Sequence, residues 1–488
     1  MPAAAHAQLA APPRVVATGL STPWEVVPLP DCRVLVTERP GRIRVLVNEV
    51  LQPAPVYENR SAQKFLGLAL HPQYALNRRL YLYETATRSG VRRSRILRLI
   101  DTGTTLQLET VVFDEGIGSD GSHDGGRMVF GPDGMLYVTT GDIHDPALPQ
   151  DPQSLNGKIL RMDPEGAPPP DNPFFALGGD ARYVWSMGHR HPQGLAFDAA
   201  GRLWETEHGP TGEAHAPPAP NNQGHDELNL VVRGGNYGWP AVTGDMDDWT
   251  IRPVVHSGPA PAWAPGDLAF AADGKLYAPM LNGAHLRALV PDGAGGIASH
   301  APVLTGFGRL RTAVPDGAAM WLTTDEPSPR LLLLGTRTCV PPGTSTGPPP
   351  ATPPAALPAA TPRAPAPAAA SATAAARAAT ARLTAAVLRA GLRRLVRTGS
   401  VTFRAGGLGP GRVSTRLSLV RPGRTARTIA VGKAAPRTRA AVAIRTKLTP
   451  SGRRAVRTLR TARLRARIAY APATGPKVIR TATVTVRR

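Results

Sequence analysis

The sequence predicts an all-β protein: a six-bladed β-propeller, then a Pro/Ala-rich linker, then a small antiparallel β-sandwich. A recurring hairpin signal, the lack of amphipathic helical periodicity between its copies, and a break in composition near residue 340 carry that expectation. The signal is clearest in Gly118 to Asp142, where Pro132-Asp133-Gly134 separates Met128-Val129-Phe130 from Met135-Leu136-Tyr137-Val138. Proline presets φ and Asp-Gly tolerates positive φ, so the chain reverses within a few residues.

Copies of this hairpin occur at Leu29 to Thr37, Phe197 to Trp204, Phe270 to Tyr277 and Val314 to Trp321, with a looser one from Leu70 to Tyr83, which makes six. Their spacing, roughly 40 to 75 residues, suits one copy per propeller blade with variable loops. Further strand-like runs, Ile43 to Val47 and Arg95 to Ile100, lie between them. A propeller brings its inner strands to one central channel, so polar segments flanking the hairpins converge there.

Residues 1–14 lack the basic region and apolar core of a signal peptide but resemble the small-residue end of one. They are read as a residual leader, and the protein is expected to be secreted, cell-surface or periplasmic. No apolar run is long enough to span a bilayer. The propeller is assigned to 15–339. Residues 340–372 are Pro, Ala, Thr and Gly with almost no large side chains and read as a linker. In 373–488, alternation returns at Arg412 to Val420, Ala440 to Ile444, Arg465 to Tyr470 and Thr481 to Val486, the pattern of a basic β-sandwich. One short helix is expected after Leu448, capped by Thr449 or Ser451.

Charge follows the same division. Residues 340–488 hold 29 Lys+Arg and no Asp or Glu, leaving 28 basic against 35 acidic groups in residues 1–339. The formal net charge of +22 thus describes neither part. The basic segment has one Phe and one Tyr and no nucleic-acid-binding motif. An anionic cell-envelope polymer is the expected partner, and nucleic acid is not expected. Cys32 and Cys339 fit either two buried free thiols or one ring-closing disulfide.

Four polar clusters would meet in the propeller: Ser122-His123-Asp124-Gly125-Gly126-Arg127; Gly188-His189-Arg190-His191-Pro192-Gln193-Gly194; Glu207-His208-Gly209-Pro210 with Asp226-Glu227-Leu228-Asn229 and Gly234 to Pro240; and Gly308-Arg309-Leu310-Arg311. Singly, each has an ordinary structural explanation: an arginine braces a turn, a glycine-rich loop turns, an acidic pair is solvated. In this order, from His123 to Asp142 onward, they resemble the soluble glucose/sorbosone dehydrogenases, the pyrroloquinoline quinone (PQQ)-dependent aldose sugar dehydrogenases. The resemblance extends from about Val15 to Leu334 and includes Gly19-Leu20 before Pro23-Trp24.

The resemblance implies an oxidoreductase that uses PQQ and Ca²⁺ to oxidise aldoses to lactones, passing hydride from the anomeric carbon to the quinone and electrons to an external acceptor. It implies His123 as general base with Arg190 polarising the reacting carbonyl, and Gln63, His123, Arg190, His191, Gln193, Arg309 and Arg311 as cofactor contacts. Gly209, Pro210, Glu227 and the Tyr237 carbonyl are implied as calcium ligands. Imidazole suits proton abstraction near neutrality, guanidinium forks suit carboxylates, and Ca²⁺ takes oxygen ligands. The sequence departs from the family's pattern at His191, where asparagine is expected, at Ala62, at the insertion from Glu213 to Gly224, and at Ala264 to Asp267. A cofactor-less binding module and a calcium-dependent hydrolase are the alternatives on the same fold.

Overall fold

The computed structural model defines residues 12–212, 223–244, 251, 253–257, 261–325, 327–339, 397–398, 400–405, 411–421, 424–434, 442–456, 459, 461–472 and 478–487. Most of the leader, the insertion at 213–222 and the linker together with residues 373–396 lie outside these. The chain divides into two units, Met1–Thr346 and Gly347–Arg488.

Each of the six hairpins forms the first two strands of a four-stranded antiparallel sheet. Sheet I holds Pro23–Pro28, Val34–Glu38, Arg42–Val47 and Val50–Leu51, with Tyr57–Glu58 beside its third strand; sheet II holds Ala62–Leu70, Arg79–Arg88, Val91–Asp101 and Leu106–Phe113. Sheet III holds Met128–Phe130, Leu136–Thr140, Lys158–Met162 and Val184–Met187; sheet IV holds Pro192–Phe197, Leu203–Glu207, Glu227–Val231 and Val255–His256. Sheet V holds Ala269–Phe270, Leu276–Met280, His285–Pro291 and Ile297–Thr305. Sheet VI joins Leu310–Asp316, Ala319–Thr324 and Leu331–Leu334 to the N-terminal strand Arg14–Ala17.

The aspartate of the hairpin signal does more than turn the chain. In sheet III, Asp133 accepts the Met135 amide at 3.1 Å and the Tyr137 hydroxyl at 2.9 Å. Asp273 repeats this with Lys275 and Tyr277, and Asp198 and Asp316 accept the indole N–H of Trp204 and Trp321. The turn residue thereby satisfies the polar end of a buried aromatic on the second strand. Those second strands are buried along their whole length in sheets I, III, IV, V and VI.

The first strands touch in cyclic order, I to II, through to VI, and VI back to I. Six apolar clusters fill the gaps between successive sheets; Trp321, Leu331 and Val36 share the one between VI and I. Each sheet therefore buries both faces against its neighbours, the arrangement that aliphatic-rich second strands require. Cys32 and Cys339 are joined in a disulfide across 307 residues of sequence. Removing both sulfurs (Cys32→Ser with Cys339→Ser) is expected to destabilise this unit by about 2–5 kcal/mol, seen as a lowered Tm; an unchanged melting curve would remove the clamp.

In the second unit the strands form one antiparallel path in the order Ser400–Ala405, Val442–Leu448, Arg424–Ala434, Gly411–Arg421, Thr461–Pro472, Val478–Arg487. Two of these, Ser400–Ala405 and Arg424–Ala434, are not among the runs picked out from the sequence, although Val401, Phe403 and Ala405 alternate with polar residues. The short helix is Pro450–Val456, and Thr449 Oγ1 caps it by accepting the Gly452 amide at 2.9 Å. Among the described residues no helix is long and apolar enough to cross a membrane.

Candidate active site

In an antiparallel hairpin the start of the first strand and the end of the second lie together. Residues before the first strands and after the second strands therefore meet at one end of the ring. His123 precedes the first strand of sheet III and Asp142 follows the second. His123 Nδ1 lies 2.6 Å from Asp142 Oδ1, whose other oxygen accepts the Trp239 indole N–H at 2.7 Å. Asp142 so oriented accepts the hydrogen bond of Nδ1–H and leaves the lone pair on Nε2. Burial lowers the His123 pKa, against the opposing pull of Asp142.

Gly125 and Gly126 explain the residues that follow. Gly125 has φ of +67°, and a Cβ there would lie 2.6 Å from the Thr139 carbonyl. Only glycine lets the chain pass so close to the second strand while turning His123 to the mouth.

His123 is one of four stacked or contacting imidazoles. Its ring lies parallel to His144 at 3.8 Å and to His191 at 4.7 Å, and His191 meets His208 edge-on at 5.0 Å. His144 sits at positive φ and is held by Asp120 at 2.5 Å. His191 is buried with its Nδ1 unpartnered, and burial followed by its cationic neighbours keeps its pKa well below the usual value. It faces His123 rather than turning away. His208, pushed down to about 4 by burial, shares its Nε2 with the Pro265 carbonyl at 2.9 Å.

Arg190 is buried, reaches the His208 carbonyl and Thr211 Oγ1 at 3.3 and 3.1 Å, and packs over Trp239. Gln193 is buried and donates to the Gly125 carbonyl at 3.3 Å. Arg311 is buried on Asp325 at 2.6 Å, with its pKa lowered to about 10 by burial and by Arg39. Arg309, two residues earlier, is exposed. Gln63 is also exposed and bonds Thr87 at 2.8 Å. Strand alternation instead turns Lys64 inward, 3.0 Å from Asp124.

Two cations of this wall were not among the sequence candidates. Lys64 follows Gln63 by one residue, and period-two alternation was the signal that could have found it. Arg39, with an unpartnered Nε, follows the second strand of sheet I as Asp142 follows that of sheet III.

Gly209, Pro210, Glu227 and Tyr237 cluster beyond Arg190. Arg190, Glu207, His208, Gly209, Glu227 and Tyr237 line part of one cavity. Asp226 organises the loop by accepting the amides of Gly209, Trp263 and Ala264. Glu227 accepts the Gly244 amide at 2.8 Å; burial, then Glu207, raises its pKa well above the carboxylate range. A half-buried carboxylate that lines one cavity with Gly209 and Tyr237, with no lysine or arginine side chain among the described residues paired to it, offers oxygen of the kind a hard cation takes. The cationic wall of Arg39, Lys64, Arg190 and Arg311, with unpartnered nitrogens on Arg39, His191 and Arg311, fits a flat polyanion.

Fold and site together define a class of mainly β protein in which a carboxylate-held imidazole faces a cationic wall at the end of a ring of sheets. The chain belongs to the glucose/sorbosone dehydrogenase family, whose sequence pattern it matches over residues 20–333. It is similar to a Thermus thermophilus structure described as a glucose dehydrogenase: 41% identity, 66% of this chain, 99% of that one, TM-score 0.59. It is also similar to the PQQ-bound aldose sugar dehydrogenase of Streptomyces coelicolor: 34% identity, 66% of this chain, 96% of that one, TM-score 0.57. Quinoprotein glucose dehydrogenase B of Acinetobacter calcoaceticus is 31% identical over 269 residues, 48% of this chain and 53% of that protein. The chain spans 53–61% of the first three curated relatives that it matches.

Proposed function

We propose that this protein oxidises aldose sugars to lactones with PQQ and Ca²⁺, handing the electrons to an external acceptor, and that its six sheets are the blades of a six-bladed propeller. The observation that carries the reading is the Trp239–Asp142–His123 chain, which leaves Nε2 of a desolvated imidazole free to accept a proton within the field of Arg190. Bound PQQ supplies the hydride-accepting carbonyl, and bound Ca²⁺ supplies positive charge beside it. His123 Nε2 takes the proton of the anomeric hydroxyl as hydride leaves C1. Asp142 stabilises the imidazolium that forms, and Arg190 stabilises negative charge growing on the acceptor.

Arg39, Lys64 and Arg311 neutralise the cofactor's carboxylates, with His191 and Gln193 shaping its seat and Arg309 at the rim. Gly209 and Pro210 carbonyls would hold one calcium, and Glu227 with the Tyr237 carbonyl would hold a second. The disulfide supports an oxidising compartment, hence a secreted, cell-surface or periplasmic protein. The C-terminal strands are read as a β-sandwich with Val413, Leu417, Ile429 and Ile444 in its core, attaching the enzyme to an anionic envelope polymer.

The test is reconstitution with PQQ and Ca²⁺ followed by dye reduction across a panel of aldoses. Absence of cofactor uptake would sink the enzyme reading and leave a binding module. The pH profile is a further check. The active form is neutral imidazole, and burial lowers the His123 pKa from 6.5, so activity is present at neutrality and lost as pH falls through the lowered value. The acid limb of kcat/KM is expected below pH 6.5 in wild type; a limb above it would contradict a desolvated base.

A further inference from the structure

We propose that a divalent metal ion, distinct from the Glu227–Tyr237 calcium place, binds between Glu205, Glu207, Asn229 and His189 on the buried side of sheet IV. The register sets Glu207 opposite Glu227 and Glu205 opposite Asn229. Residues two apart on a strand share a face, so three carboxylates and one amide are crowded together there. Like charges directly opposed in a sheet destabilise it. Yet Glu205, Glu207 and Asn229 are buried, and among the described residues no lysine or arginine side chain pairs with any of the three carboxylates.

Among the described residues only uncharged N–H groups offset this charge: Asn229 Nδ2 donates to Glu205, Glu207 and Glu227 at 3.0, 3.3 and 3.1 Å, the Arg190 amide to Glu207 at 2.7 Å and the Gly244 amide to Glu227 at 2.8 Å. Two further oxygens of the same group, Glu205 Oε1 and Asn229 Oδ1, are fully buried and have no partner. An unpaired carboxylate oxygen out of contact with water is costly unless a cation meets it.

His189 supplies the remaining ligand. Its Nε2 meets Ser186 Oγ at 2.8 Å and its ring stacks on Tyr237 at 4.6 Å, which fixes the imidazole with Nδ1 toward Glu207 at 3.3 Å. In the tautomer that gives Nε2–H to Ser186, Nδ1 is a free ligand atom aimed at Glu207; in the other, Nδ1–H donates to Glu207, and metal binding displaces that proton. Ligand atoms of His189, Glu205 and Glu207, one from each, lie within 4.8 Å of one another. Mixed imidazole and carboxylate ligands favour a first-row divalent ion such as Mn²⁺ or Zn²⁺ over calcium, which prefers oxygen alone. Glu207 also accepts the Arg190 amide at 2.7 Å, so an ion here would fix the segment that carries Arg190.

The full chain, stripped with EDTA and free of PQQ, would be titrated with Mn²⁺ and followed by electron paramagnetic resonance. Wild type is expected to hold one more tightly bound ion per chain than Glu205→Gln, or to bind that ion at least tenfold more tightly. His189→Gln is the second variant should Glu205→Gln fail to fold. Equal Mn²⁺ stoichiometry and affinity in wild type and the folded variant would overturn the proposal, as would a wild type that binds no Mn²⁺. The readout is ion content without cofactor, so it can fail while dye reduction succeeds, and the reverse.

Discussion

Replacing His123 by alanine is expected to lower kcat for dye reduction by about 10²–10⁴-fold, the usual worth of a positioned general base, with PQQ uptake retained. The geometry gives the reason. Asp142 fixes the tautomer at 2.6 Å, Trp239 fixes Asp142 at 2.7 Å, and no other imidazole of the cluster has a carboxylate holding it at comparable burial. His144 has its own partner in Asp120 but stands half-exposed, 46% by side chain. His191 has no partner at Nδ1, and His208 is committed to a carbonyl. Asp142→Asn should reproduce much of the loss without removing the ring, because the amide no longer stabilises the imidazolium. Activity that survives in His123→Ala would remove the role assigned to that residue.

The second large effect is on stability. Arg127→Ala is expected to cost about 3–5 kcal/mol, the range for breaking a buried charge network from one side. Arg127 is buried at the start of sheet III, bonded to Glu25 of sheet I, to Asp267 at 3.1 Å and to the Gly266 carbonyl at 2.9 Å before sheet V, and to the Gln193 carbonyl of sheet IV at 2.8 Å. Its guanidinium also lies 4.1 Å from the Trp24 ring. Removing it strands two buried carboxylates; even with the arginine present, burial pushes Glu25 up to about 7 and raises Asp267. Urea unfolding followed by tryptophan fluorescence measures the loss. A change within about 0.5 kcal/mol, the range of an ordinary surface substitution, would mean that the sheets do not depend on this contact.

Much of this was legible in the sequence because it is local. Pro-Asp-Gly and its variants located all six hairpins, and His123 was legible from the two glycines and the arginine behind it. The family resemblance extended that to Arg190, Gln193 and Glu227. What was not legible depends on which way a side chain faces or on what crosses between sheets. Arg309 and Arg311 look alike in sequence, yet Arg309 lies just before the strand Leu310–Asp316 and is exposed, whereas Arg311 lies within it and is buried on Asp325. Strand alternation exposes Gln63 and brings Lys64 inward. Arg127 read as a turn brace, whereas its partners come from three other sheets, 66 to 139 residues away. Cys32 and Cys339 could not be paired from spacing alone, since their approach follows from closure of the ring.

That closure bears on biosynthesis. Arg14–Ala17, the first described strand, finds its strand partner in Leu331–Leu334, more than three hundred residues later. Five sheets can form during translation from contacts within their own stretch of chain. The sixth cannot, and until it does, a leucine-rich edge and the flank of sheet I stay open to any other nascent chain. The first unit is therefore complete only when its first described strand meets its last, and the Cys32–Cys339 disulfide links the same two ends.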